Sequence, residues 1–187
     1  GLSATEVSVK VGEKAIVVSG VVLESALFGH VLKLRRTVTA PLMGSSLTIE
    51  DTLENLTPRA EEIMLLYHFN FGYPMLSQEA RLELPGRVSS SPRDENSRSG
   101  LGEELEFTAP VDGKPEQVFF HTLTENRARL LNPALGLAAT LTWDSDSLPV
   151  FAQWKSMASG DYVLGLEPTN CYIMGRQKER ENGTLRK

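Results

Sequence analysis

Apolar and polar residues alternate along most of the chain. In the first such run, from Glu6 to Val11, every second residue is valine. Alternation over about five to eight residues, bounded by Gly, Pro, Asn or Asp, is typical of a half-buried β-strand. The runs predicted as strands are 6–11, 15–18, 32–39, 46–55, 63–71, 80–84, 118–123, 137–143, 150–154 and 162–166.

These runs predict an all-β fold. Most of the connections suit antiparallel hairpins, and no helix-length amphipathic segment separates the strands. This pattern argues against an α/β crossover fold and favours an antiparallel β-sandwich or a barrel. Residues 89–102, rich in Ser, Arg, Asp and Gly, are predicted as a loop, and residues 174–182 as a short helix or a loop. Because no repeat and no low-complexity linker interrupts the chain, we predict a single domain over residues 1–187.

Composition narrows the class of protein. Among 187 residues, 41% are hydrophobic and 23% are charged, as is ordinary for a soluble globular protein. A net charge of −5 argues against nucleic-acid binding, which requires clustered Lys and Arg. No apolar run is long enough for a membrane span, and no signal-peptide pattern opens the sequence. Together with the single Cys171, which fits a reducing compartment, these features predict a cytoplasmic protein; they do not indicate its oligomeric state.

The segment Tyr67 to Phe71 combines an aromatic face with a polar face. Strand periodicity places Tyr67, Phe69 and Phe71 on one side, where they can seal a core, and His68 with Asn70 on the other. A strand histidine of this kind is either an ordinary surface residue or an acid–base group. The following turn, Gly72-Tyr73-Pro74, would leave this end of the strand open to a ligand.

The segment Val163 to Pro168 has a similar division. Leu164 and Leu166 face one way, and Gly165 and Glu167 face the other. Pro168 is expected to end the hydrogen-bonding ladder. A carboxylate at a strand end beside a glycine is a candidate site residue, although a solvated edge carboxylate has the same pattern.

A family resemblance connects the two segments. The run LLYHFNFGYP, residues 65–74, is similar to the signature of a bacterial aldose 1-epimerase-like family once catalogued only as a domain of unknown function, whose members resemble galactose mutarotases. Further similar segments are 25–29, 32–36, 49–55, 92–94, 148–149, 153–155 and 160–168. The resemblance implies a galactose mutarotase-like supersandwich. Because family members are longer, it also implies that this chain lacks N-terminal strands and a last C-terminal strand.

The resemblance also implies an activity and a catalytic pair. In galactose mutarotases a histidine in a related motif is the general acid, and a glutamate at the end of a strand is the general base; the matching residues are His68 and Glu167. Interconverting α- and β-anomers requires a base for the C1 hydroxyl and an acid for the ring oxygen, which we expect on opposite sides of the hemiacetal. This chemistry needs no metal and no organic cofactor. The expected partner is a small-molecule sugar.

A sugar site also needs an aromatic surface and hydrogen-bonding groups. Glu116, or a residue next to it, aligns loosely with an Asp that binds the sugar in mutarotases. The predicted substrate-binding residues are Asn70, Tyr73, Arg93, Asp94, Glu116, Trp154 and Lys155. His121 shares a strand face with Phe119 and is expected to be packed and hydrogen-bonded, and His30 lies in a turn.

Two other functions fit the same sequence. The protein could bind a carbohydrate without turning it over, since a fold does not determine a function. It could also be another sugar isomerase, or a lyase acting on an acidic sugar. A lyase would use a Tyr or Lys base with an Arg to neutralise a carboxylate, and Arg93 and Lys155 keep that hypothesis open.

Overall fold

A computed structural model describes residues 2–186. Within it the chain forms two compact units, residues 2–62 and residues 63–186. Each unit has its own sheet structure. The prediction of one domain over residues 1–187 stays a prediction.

The first unit is a four-stranded antiparallel meander, in which each strand pairs with the next along the chain. A bidentate ion pair links its last two strands, since Arg36 Nε and Nη2 donate to the two carboxylate oxygens of Asp51 at 2.8 and 2.6 Å. Its strands are β1 (Thr5–Val11), β2 (Ala15–Ser25), β3 (Val31–Pro41) and β4 (Thr48–Asn55).

The second unit contains two antiparallel sheets. A three-stranded sheet has the order β10-β9-β6, and a five-stranded sheet has the order β5-β12-β11-β8-β7. The strands are β5 (Phe69–Phe71), β6 (Arg81–Glu83), β7 (Arg87–Pro92), β8 (Gln117–Leu123), β9 (Arg127–Asn132), β10 (Leu137–Thr142), β11 (Val150–Ala158) and β12 (Asp161–Thr169). Two short helices are α1 (Glu95–Arg98) and α2 (Arg176–Asn182).

One hydrophobic cluster joins the two sheets of the second unit. Leu82 and Leu130 contribute from the three-stranded sheet, and Phe151, Leu164 and Leu166 contribute from the five-stranded sheet. All five side chains are buried because they occupy the inward positions of alternating strands. This arrangement confirms the predicted all-β antiparallel sandwich.

Phe69 and Phe71 pack against the same cluster, as the aromatic face of their segment predicted. They lie on β5, at the edge of the five-stranded sheet. The polar positions beside them therefore face away from the core.

Three local predictions were wrong. Pro168 lies inside β12 rather than after its end, since a proline lacks only its N–H and the Pro168 carbonyl still accepts from Tyr67 N at 3.0 Å. The predicted loop begins with a strand, because β7 pairs with β8. Strand β9, residues 127–132, was not predicted, because its Arg-Ala-Arg-Leu-Leu-Asn sequence has little alternation. The predicted helix or loop near the C-terminus is α2.

Neither helix within residues 2–186 has the length or the apolar run needed to cross a bilayer.

Candidate active site

Strand pairing places His68 opposite Glu167. The segment before β5 continues antiparallel to β12, with Leu66 opposite Thr169 and Phe69 opposite Leu166. This register makes His68 and Glu167 cross-strand neighbours, and such neighbours point to the same face of a sheet. His68 Nε2 lies 2.8 Å from Glu167 Oε1.

The two groups differ in their exposure. The Glu167 side chain is 2% exposed, whereas that of His68 is 39% exposed. Glu167 Oε1 makes no hydrogen bond with residues 2–186, because its contact with His68 has the distance of an ion pair but not the direction of a hydrogen bond. Burial raises the pKa of Glu167 to about 7; Arg93 opposes this rise and the charge of Glu116 adds to it. The result is a buried carboxyl group that titrates near neutral pH beside an accessible imidazole.

Gly165 provides the space that this pair occupies. A Cβ atom at Gly165 would lie 2.5 Å from Glu167 Oε1 and 2.9 Å from His68 Cε1. It would also lie 3.2 Å from Trp154 Cβ. The absence of a side chain at this position therefore allows His68 and Glu167 to lie directly on the sheet.

The pair opens onto a cavity of about 330 Å³. Trp154 forms one wall and meets His68 edge-on, with ring centroids 5.5 Å apart and an interplanar angle of 70°. The lining residues are Leu66, His68, Arg93, Val118, Trp154, Glu167 and Ile173. An aromatic wall, apolar side chains and a few convergent polar groups are typical of a small-molecule site.

A carboxylate network holds two of these walls. Arg93 Nη2 donates to Glu116 Oε1 at 2.7 Å, and Trp154 Nε1 donates to Glu116 Oε2 at 2.7 Å. Arg93 Nε donates to Asp94 Oδ2 at 2.9 Å. Asp94 in turn caps α1 through the backbone N–H of Ser97. Of the predicted substrate-binding residues, Arg93 and Trp154 therefore line the cavity, while Asp94 and Glu116 support them.

The structure does not bring the other predicted residues to the cavity wall. Asn70 is exposed on the same sheet face, opposite Gly165, and Tyr73 is 82% exposed. Lys155 lies on the opposite face from Trp154, because adjacent strand residues point to opposite sides. Its Nζ donates to the backbone carbonyl of Glu103 at 2.9 Å, and burial lowers its pKa to about 8. The lyase hypothesis thereby loses the proposed role of Lys155 at this site.

Sequence reasoning missed the apolar walls. Val118 aligns with Trp154 across β8 and β11, and Ile173 comes from the segment after β12. Alternation within β8 places Val118 on a definite face, but only strand pairing shows that this face meets Trp154. The sequence has no signal that places Ile173 at the cavity.

His121 lies on the other side of the five-stranded sheet and is fully hydrogen-bonded. Gln153 Nε2 donates to the Glu104 carbonyl, so Gln153 Oε1 accepts from His121 Nε2 at 2.9 Å, and His121 Nδ1 accepts from Ser90 Oγ at 2.9 Å. Burial lowers the pKa of His121 to about 4. The expectation of a packed, hydrogen-bonded imidazole is confirmed.

His30 and possible metal ligands are the remaining candidate groups. His30 forms an ion pair with Glu24 at 2.7 Å in the first unit. Among residues 2–186, no group of three or more His, Cys, Asp or Glu side chains is arranged to hold a metal ion.

The sequence matches a family described as a domain of unknown function (DUF4432) over residues 1–187. The chain belongs to this family. The fold is also similar to the crystal structure of a Klebsiella pneumoniae protein that is provisionally described as an aldose 1-epimerase. The two chains share 26% sequence identity with a TM-score of 0.87, over 96% of this chain and 49% of that protein.

This DUF4432 chain therefore spans about half the length of the similar protein. No curated protein matches the sequence. Together with the two antiparallel sheets of the second unit, the similarity identifies an all-β fold of the sugar-epimerase type.

Proposed function

We propose that this protein is an isomerase of the aldose 1-epimerase type, which interconverts the α- and β-anomers of a sugar. The observation that carries the proposal is the contact between His68 Nε2 and the buried Glu167 Oε1 at the open cavity. The similarity to the Klebsiella protein and the resemblance of the two motifs to those of galactose mutarotases support the same activity.

In the proposed mechanism, Glu167 is the general base and protonated His68 is the general acid. The Glu167 carboxylate takes the proton of the C1 hydroxyl, while His68 Nε2 gives its proton to the ring oxygen and the bond between C1 and that oxygen breaks. The open aldehyde rotates about its C1–C2 bond. The two proton transfers then run in reverse and close the ring as the other anomer.

The observed geometry suits these transfers. Both reacting oxygens of a hemiacetal are bonded to C1, so two groups in contact on one sheet face can approach both from the same side of the sugar, rather than from the opposite sides expected from the chemistry alone. A carboxyl group with a pKa of about 7 can both accept and return a proton near neutral pH. Trp154 supplies an aromatic surface for the sugar ring, and Arg93 supplies a donor on the cavity wall.

The test is the mutarotation of freshly dissolved α-anomers of several aldoses, followed by polarimetry or NMR. We expect His68→Asn and Glu167→Gln each to reduce the accelerated rate by about 10²-fold or more, because each acid–base group contributes about 10²–10⁴-fold. The chain provides a matched control in its second His–Glu pair, His30 and Glu24, which are 2.7 Å apart. His30→Asn and Glu24→Gln should keep the wild-type rate.

Three results would contradict the proposal. A folded wild-type protein that accelerates no aldose would exclude the proposed reaction for those sugars. Binding of a sugar that is unchanged by Glu167→Gln, without turnover, would instead favour a carbohydrate-binding protein. A variant rate equal to the wild-type rate would remove that residue from the mechanism.

A further inference from the structure

Glu116 accepts two hydrogen bonds that join two residues of the cavity wall. Its Oε1 accepts from Arg93 Nη2 and its Oε2 accepts from Trp154 Nε1, both at 2.7 Å. Arg93 follows β7, Glu116 directly precedes β8 and Trp154 lies in the middle of β11. One carboxylate therefore links side chains from three neighbouring parts of the five-stranded sheet.

We propose that Glu116 is a positioning residue, which holds the aromatic and cationic walls of the cavity and acts on Glu167 through its charge. The catalytic part of this inference rests on the proposed epimerase function. It differs from the expectation that Glu116 binds the substrate, because each carboxylate oxygen already accepts a hydrogen bond from the protein.

The contacts keep Glu116 ionised. The hydrogen bonds from Arg93 and Trp154 lower the pKa of Glu116 below its usual value. The carboxylate thus carries a full negative charge at neutral pH, even though it is partly exposed. A fixed carboxylate near the cavity opposes the ionisation of Glu167, and it also offsets the charge of Arg93, which favours that ionisation.

Few charged groups other than Glu116 lie near Glu167 to affect its ionisation. His68 contacts Glu167 from the segment before β5, and Arg93 acts on it from the end of β7. Within the paired stretches 117–121 and 151–155 of β8 and β11, the residues on the same sheet face are Val118, Phe120, Ala152 and Trp154, none of which has a titratable side chain. A change at Glu116 should therefore appear directly in the titration of Glu167.

The experiment measures the titration of the Glu167 carboxyl carbon by NMR in the whole protein without any sugar. In Glu116→Gln we expect the titration midpoint to fall by roughly 0.2–0.7 pH unit, the range for charge pairs near a protein surface. In Glu116→Asp, which keeps the charge on a shorter side chain, the midpoint should stay closer to that of the wild type. If Glu116 had only a structural role, the Glu167 titration midpoint would not differ between Glu116→Gln and Glu116→Asp.

Two controls accompany this measurement. The matched control is Glu83→Gln, because Glu83 accepts from Arg129 Nη1 at 2.8 Å and is exposed to a similar extent as Glu116, but lies on β6. It should leave the Glu167 midpoint unchanged. The indole N–H resonance of Trp154 should shift in both Glu116 variants, while that of Trp143, the other tryptophan of the chain, should not.

The outcomes separate this inference from the proposed function. A Glu167 midpoint that is unchanged or raised in Glu116→Gln would overturn the inference, whether or not the protein accelerates mutarotation. A lowered midpoint in a protein without mutarotation would support the positioning role and refute the epimerase. If the Glu167 midpoint falls and the protein also accelerates mutarotation, the acid limb of the pH–rate profile should move to lower pH in Glu116→Gln by the same amount as the NMR midpoint.

Discussion

Replacing Gly165 by alanine tests whether the open space on β12 is needed by the acid–base pair. The backbone of Gly165 is extended, so alanine is compatible with its conformation. The new methyl group, however, would lie 2.5 Å from Glu167 Oε1 and 2.9 Å from His68 Cε1. Both distances are shorter than van der Waals contact, so the two side chains must move.

Two opposing effects set the expected loss of stability. Overpacking a buried position costs about 1–3 kcal/mol. Replacing glycine by alanine where the backbone permits it returns about 0.4–1 kcal/mol, because the unfolded chain loses conformational freedom. We therefore expect the free energy of unfolding to fall by no more than about 2–3 kcal/mol, which should leave the protein folded.

The effect on catalysis should be larger than the effect on stability. A misplacement of catalytic groups by about 1 Å can cost about 10²-fold in rate. We expect kcat for mutarotation to fall by that order in Gly165→Ala, measured by polarimetry beside urea unfolding of the same samples. The matched control is Gly20→Ala, a strand glycine at which the new Cβ would have no neighbour closer than 3.5 Å.

The reasoning fails if Gly165→Ala keeps the wild-type kcat. The cavity would then accommodate the methyl group, and the close packing around the pair would have no role in catalysis. A variant that unfolds completely would instead show that the backbone cannot shift at all, and Gly165→Ser would be no more tolerated.

Three further predictions concern pH. With Glu167 as the base, the mutarotation rate should decline as the pH falls through about 7, because the carboxyl group becomes protonated. The folded-state pKa of Glu167 is raised from 4.5, so its contribution to stability is present below pH 4.5 and is lost as the pH rises through 7. Urea unfolding should show that the free energy of unfolding of the wild type falls by about 3 kcal/mol relative to that of Glu167→Gln over this range. The pH dependence of stability is opposite for His121, whose folded-state pKa of about 4 lies below the usual 6.5. The free energy of unfolding should therefore fall by up to about 3 kcal/mol as the pH is lowered from 6.5 towards 4. His121→Gln should weaken this acid sensitivity while keeping mutarotation, because His121 lies on the sheet face opposite the cavity; equal acid sensitivity in the variant would contradict the assignment.

Local periodicity predicted more of the fold than of the site. Alternation identified most strands, and it placed His68 and Glu167 on the faces turned away from Phe69 and Leu166, as observed. It overlooked β9, where alternation is weak, and β7, where small polar residues resemble a loop. Strands of this kind are held by pairing with neighbours rather than by their own pattern.

The sequence by itself determined the all-β class and the face on which each candidate side chain lies, because the period of a strand is a property of consecutive residues. The family resemblance added the roles of the candidate pair. Only the tertiary structure decided that position 68 lies opposite position 167 and that Glu116 joins Arg93 to Trp154. These relations depend on the register between strands far apart in the chain, and register is set by the packing of whole sheet faces rather than by any local pattern.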